Sequence, residues 1–347
     1  MPSDVTATGT NQEDKGVAPD AVDKTPALYL RKPIIHLTSD NNEADTNSDY
    51  NGPNVDMFDV YVWEDFLTDG EILSLVNEEP LKTVLNRKFT GEELESFTWG
   101  APIAGGNINE QCFERIWAGI TQALNLIQYV CRREAHGTPT PSYIVIGDGN
   151  CARKRDHEAV GTERKKPDLA GYLFVPGSRQ HSGDGPSKVH NRIPGDAKLF
   201  RKIRRSMLPP NGCDFLNQRS AQAEAQKVIN QIHHYMDMHG ARYGYVVNDQ
   251  ELIFFRRRGT GWGHMEISDA IRHDVTADLK GGVFNSKYVL FYYHYVVAND
   301  DSQWQLKSCF PNIQKRAGPQ RAAKGSISSR KVISRTTAYS KNVVTAG

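Results

Sequence analysis

Three short stretches of this chain carry the residue types that divalent-metal chemistry needs. Lys166-Pro167-Asp168 opens an apolar run from Leu169 to Val175. Pro194-Gly195-Asp196-Ala197-Lys198 opens another extended stretch. Gln231-Ile232-His233-His234-Tyr235 lies inside a helical pattern and precedes Arg242-Tyr243-Gly244-Tyr245. On a strand, residues i and i+2 share a face, so Asp196 and Lys198 project a carboxylate and an ammonium side by side. If the strand begun by Asp168 is its neighbour, two carboxylates converge, and each raises the other's pKa. A divalent cation removes that conflict, and hard oxygen donors with room for water suit Mg²⁺ or Mn²⁺. Such a metal orients a water, lowers its pKa and stabilises charge on a phosphate. Lys198 would position the attacking water or hold the phosphate, roles that need its charge beside the reacting centre. No Ser-His or Cys-His arrangement in a recognisable context suggests a covalent intermediate.

The elements that must hold these residues are legible from periodicity. Phe113, Ile116, Trp117, Ile120, Leu124, Ile127 and Cys131 recur at three- and four-residue steps, which predicts a buried helical stripe over 107–133. Ser142 to Ile146 reads as an apolar strand ending at the turn signal Gly147-Asp148-Gly149-Asn150. Leu169 to Val175 is a strand stopped by Pro176-Gly177, 177–191 is a Gly/Ser/His-rich loop, and Ile193 to Leu199 is short and extended. A second amphipathic helix runs over 219–239 and ends at Gly240, a good C-cap residue. On it, Glu224, Val228, Gln231 and Tyr235 share a face, which puts Gln231 at a buried boundary where its amide needs partners. Tyr243 to Val247 and Glu251 to Arg256 form a hairpin through Asn248-Asp249. Tyr288 to Val297, aromatic and β-branched, reads as a further strand. The order predicts an α/β (α+β) fold with a central mixed β-sheet flanked by helices.

The residues quoted above, in that order, resemble the PD-(D/E)xK, or restriction-endonuclease-like, nuclease superfamily. The Gln-x-x-x-Tyr helix is similar to the motif of RecB-type and lambda-exonuclease-type members, and the whole combination resembles uncharacterised fungal members. The resemblance covers about 150 residues, from the long helix to Arg256. It implies a restriction-endonuclease-like core in which Asp168 and Asp196 bind Mg²⁺ or Mn²⁺, Lys198 is the catalytic lysine and Gln231 orients the water, with Tyr235 beside it as a contact to nucleic acid. It also implies a glutamate on the first core helix, for which Glu110 is preferred over Glu114. The implied activity is hydrolysis of phosphodiester bonds in nucleic acid, DNA rather than RNA. The alternative is a catalytically inactive nuclease fold that serves as a binding or interaction module.

Other features bound the reading. The chain of 347 residues has a net charge of +1, so bulk charge makes no case for a nucleic-acid partner. Locally, Arg201, Lys202, Arg204 and Arg205 follow the Asp-x-Lys strand and read either as a solvated face or as phosphate-holding cations. Arg256-Arg257-Arg258 carries the same two readings. Five scattered cysteines without a C-x-x-C pair favour a reducing compartment. His233, His234 and His239 lack zinc-ligand partners at the right spacing, so zinc is not expected. With no secretory h-region and no membrane-length apolar run, the expectation is an intracellular protein of nucleus or cytoplasm that does not span a membrane. Residues 1–55, with nine acids against four bases in the first 50, read as a disordered acidic segment, although Leu28-Tyr29-Leu30 with Ile34-Ile35 is a candidate docking patch. Residues 56–104 read as a mixed extension packed on the core, 105–300 as the nuclease-like domain, and 313–347, with eight Lys or Arg and no acid, as a flexible basic tail.

Overall fold

The computed structural model describes residues 25–34, 60–67, 71–79, 81–90, 93, 110–137, 141–149, 167–175, 190–198, 202–208, 219–259 and 263–306. Within them β1 (Val60–Val62), β2 (Tyr143–Asp148), β3 (Leu169–Phe174), β4 (Ile193–Ala197), β5 (Tyr243–Val247), β6 (Glu251–Arg257), β7 (Met265–Ile267) and β8 (Ile271–Arg272) build one mixed, open sheet. The order across it is β1-β7-β6-β5-β4-β3-β2, with β8 paired to β6. β2, β3 and β4 run antiparallel in sequence, and β5 then enters parallel to β4. That parallel step requires a crossover, which the helix between β4 and β5 supplies.

Helices flank the sheet: α1 (Pro26–Arg31), α2 (Glu71–Asn77), α3 (Leu81–Asn86), α4 (Glu110–His136), α5 (Arg219–His239), α6 (Ser286–Tyr295) and α7 (Asp301–Trp304). Alternation along the central strands feeds two cores. Tyr245, Val247, Leu252 and Phe254 pack with residues of α1 to α4 and α6. Val246, Ile253 and Phe255 pack with α5 and with Ile203, Met207 and Leu208. This is the two-sided burial expected of a sheet covered by helices on both faces. The stripe expected on the long helix is present in Trp117, Ile120, Leu124, Ile127 and Cys131, all buried. The same helix shields the free edge of β2, because the Asn125 amide donates to Ile146 O at 2.7 Å and accepts from Ile146 N at 2.8 Å.

Two expectations are corrected. The run from Tyr288 to Val297 is not a strand: Ser286–Tyr295 is a helix with every residue buried, followed by a 3-10 turn at Val297–Asn299. Asn285 is its N-cap, accepting from Tyr288 N at 3.2 Å. A helix buried on all sides has no periodicity to betray it, and tertiary burial overrides β-propensity. The disorder expected of 1–55 does not extend to its candidate docking patch, which does dock: Pro26–Arg31 is helical, with Leu30 fully buried and Tyr29 and Ile34 in the main core. Asn285 holds this segment by donating to Leu30 O at 2.9 Å and to Arg31 O and Lys32 O at 3.2 Å. The rest of 1–55, most of the 177–191 loop and the tail from 313 lie outside the described residues.

Candidate active site

The register of β3 and β4 sets the geometry of the acid pair. Leu169 lies opposite Gly195, so one step outward brings Asp168 opposite Asp196. Asp168 extends the ladder with its side chain, its Oδ2 accepting from Ala197 N at 2.9 Å. Gly149 allows this approach. The backbone at Pro167 passes so close that a Cβ on Gly149 would sit 1.6 Å from Pro167 O. Its backbone N–H also donates to Asp168 O at 3.1 Å.

Asp196 and Lys198 share the face of the sheet that α5 covers, as strand parity requires: Asp196 lies beside Val246, a residue of the α5-side core. Lys198 Nζ is 2.7 Å from Asp196 Oδ2 and 3.7 Å from Asp168 Oδ2. The three groups therefore meet at one end of the β3–β4 pair. Their exposures are graded. The Asp196 side chain is fully buried, Lys198 is 12% exposed and Asp168 is 43% exposed, so the cluster opens to solvent through Asp168. Burial pushes the Asp196 carboxyl up to about 8, Lys198 opposes that rise, and Asp168 adds to it.

A divalent cation fits these donors. Asp196 Oδ1 is buried and has no hydrogen-bond partner, and a second carboxylate stands beside it. A buried carboxylate oxygen left unpaired is costly unless an ion or water takes it up. Among the described residues no cluster of three or more His, Cys, Asp or Glu suited to a metal occurs. Glu110 is the first residue of α4, and its side chain lies outside the described residues.

The helix pair behaves differently from the expectation. Gln231, half-buried, donates from Nε2 to the Tyr235 hydroxyl at 2.7 Å. Tyr235 is only 1% exposed and belongs to the core beneath α5. A ring so placed does not touch nucleic acid, and that assignment is corrected: the hydroxyl anchors Gln231 instead. The basic run is also largely engaged. Lys202 is buried. Arg205 donates from Nε to Ser268 O at 2.7 Å and from Nη1 to Leu208 O at 3.3 Å, and its backbone N–H donates to Glu251. Arg204 is half-buried, and Arg201 lies outside the described residues. In the second run, Arg257 is buried in an ion pair with Asp237 at 2.8 Å. Arg256 pairs with Asp65 at 2.7 Å and stacks on Trp63. Arg205, Arg256 and Arg257 thus serve as internal clamps. Of the histidines, His233 Nε2 accepts from Gly263 N at 3.2 Å and His239 Nδ1 accepts from Asn191 N at 3.3 Å.

Sequence reasoning missed the residues that hold this arrangement from behind. Tyr245 on β5 packs against Gly195, where a Cβ would come within 2.3 Å of its ring. The only advance signal was the Gly before Asp196, a position where a close approach is common. No described helix is long and apolar enough to cross a membrane. Compared with protein-family models, with curated proteins and with solved structures, the chain finds no match in any of the three.

Proposed function

We propose that this protein is a metal-dependent phosphodiesterase acting on nucleic acid, built on a restriction-endonuclease-like core. The observation that carries the reading is the convergence of Asp168, Asp196 and Lys198, from separate chain segments, within ion-pair distance at one end of the sheet. The order of one helix, three antiparallel strands, a second helix and a strand parallel to the third supports it, as does the resemblance in sequence, which favours DNA over RNA. Asp168 and Asp196 would hold Mg²⁺ or Mn²⁺. The cation supplies Lewis acidity and a water of lowered pKa. Lys198, within ion-pair distance of both acids, holds the scissile phosphate oxygen or the attacking water in line. Gln231, held by its bond to the Tyr235 hydroxyl, would use its amide carbonyl to orient the water.

The test is cleavage of fluorescent single- and double-stranded DNA and RNA with Mg²⁺, Mn²⁺ or a chelator. Wild type should cut in a metal-dependent manner. Lys198→Ala should lose roughly 100- to 1,000-fold in rate, the scale of removing one preorganised charge-stabilising group. Equal rates for the two proteins would remove Lys198 from the chemistry.

A second reading has its own observation. Lys198 already pairs with both acids, and Arg205 and Arg257 of the basic runs are engaged in internal contacts. That is also how an inert scaffold would stabilise a buried carboxylate. Mn²⁺ separates the two: an active centre gains thermal stability with the ion and loses that gain in Asp168→Ala, whereas a scaffold shows no shift in either.

A further inference from the structure

Asn248 reads in the sequence as a hairpin residue, but its contacts reach beyond the turn. It is fully buried. Its Oδ1 accepts from Gln250 N and Glu251 N, each at 2.8 Å, and its backbone N–H donates to Glu251 O at 2.9 Å. These bonds make the turn between β5 and β6. Its carbonyl accepts from His273 Nε2 at 2.8 Å, which fixes that ring nitrogen as the protonated one. The remaining group, Nδ2, donates to Ile203 O at 2.8 Å.

The last bond matters because of where the chain lies at its other end. Lys198 N donates to Val247 O at 2.9 Å, the residue just before Asn248. Lys198 and Ile203, five residues apart in the chain, are therefore each tied to the end of β5. A lysine side chain has high rotamer entropy, and its reach is defined only if its backbone is fixed.

We propose that Asn248 is a positioning residue for Lys198, holding the segment that carries this amine against the end of β5 so that Nζ stays between the two acids. The proposal rests on the nuclease reading of the site. Asn248→Asp separates its two roles. The carboxylate still accepts from Gln250 and Glu251 and keeps the turn, but it cannot donate to Ile203 O, and the staple opens. Asn248→Ser serves the same purpose without a buried charge, since its hydroxyl accepts in the turn and falls short of Ile203.

Two measurements on the full chain test this. In hydrogen exchange, peptides covering 198–208 should lose protection in either variant, while α5 and β3 keep theirs. In single-turnover cleavage of a labelled oligonucleotide with Mn²⁺ and enzyme in excess, the limiting rate should fall about tenfold while the amplitude stays complete. A merely structural defect would lower the amplitude or raise the enzyme concentration needed, and would leave the limiting rate alone. Unchanged exchange overturns the staple. Faster exchange with an unchanged limiting rate overturns the positioning role and leaves the nuclease reading standing. A wild type that does not cleave overturns both the reading and this role, and exchange then reports on the staple alone.

Discussion

Asp196 carries opposing demands that only its surroundings reconcile. Both of its oxygens are out of water, and the cation beside it is shared with Asp168. Burial is the largest influence on its pKa and outweighs the attraction of Lys198, so the group titrates near 8. A carboxyl whose folded value lies above its unfolded one contributes stability at low pH and loses it as pH rises through the folded value. At neutral pH and above, the metal-free fold is therefore held back by this residue. An asparagine in its place would carry no charge, and Lys198 would keep Asp168 as its partner near the surface. Asp196→Asn should melt higher than the metal-free wild type at pH 8, while losing both cleavage and the thermal shift with Mn²⁺. Differential scanning calorimetry with and without the ion checks this. A variant melting well below the wild type at pH 8 would mean that the pair with Lys198 outweighs desolvation, as breaking a buried ion pair often does.

Strands and helices decide how accurately the acids meet, and Gly195 shows the tolerance. Its missing side chain is replaced by the Tyr245 ring from the parallel neighbour β5, with Cζ and Oη 2.3 and 2.6 Å from where a Cβ would stand. Tyr245 is fully buried and has nowhere to move. Gly195→Ala should cost about 1–3 kcal/mol or more by overpacking, and Tyr245→Leu in the same chain should restore part of it. Equal melting temperatures for wild type and Gly195→Ala would show that β4 and β5 can part without cost. The glycine is visible in the sequence and its reason is not, because the ring comes from a strand 50 residues later in the chain. The same distinction governs the rest of the fold. α5 and the β5–β6 hairpin are legible because 3.6- and 2-residue periods, Gly240 and Asn248 all agree locally. The convergence of Asp168 with Asp196 follows from strand parity once the two strands are neighbours. α6 defeats the same reading because its residues are buried on all sides, leaving composition as the only clue, and composition favours a strand. Tyr235 is misplaced for a related reason: spacing shows which residues share a face, and not how deep that face lies.

At the scale of the molecule, pH sets buried acids and buried imidazoles against each other. His233 and His294 are fully buried, and burial pushes their pKa values down to about 3 and about 4. Each favours the neutral form in the fold, so its contribution is complete above an unfolded value of about 6.5 and is lost as pH falls towards the folded value, roughly 2 kcal/mol apiece by pH 5. Asp196, raised by burial, acts the other way across the same interval, and burial shifts Glu251 in the same direction. Lys287, lowered to about 7 by its burial against Tyr29, changes stability mainly above neutrality and adds little below it. The wild type should therefore lose only a modest part of its stability between pH 7 and pH 5, because the acids regain much of what the imidazoles give up. Asp196→Asn removes the largest compensating member and leaves both histidines in place. Its melting temperature should fall more steeply over that interval, so that an advantage held at pH 8 narrows or reverses by pH 5. Melting curves of the two proteins recorded without metal across pH 5–8 make the comparison, and curves that stay parallel would show that Asp196 is ionised in the fold throughout, held so by Lys198.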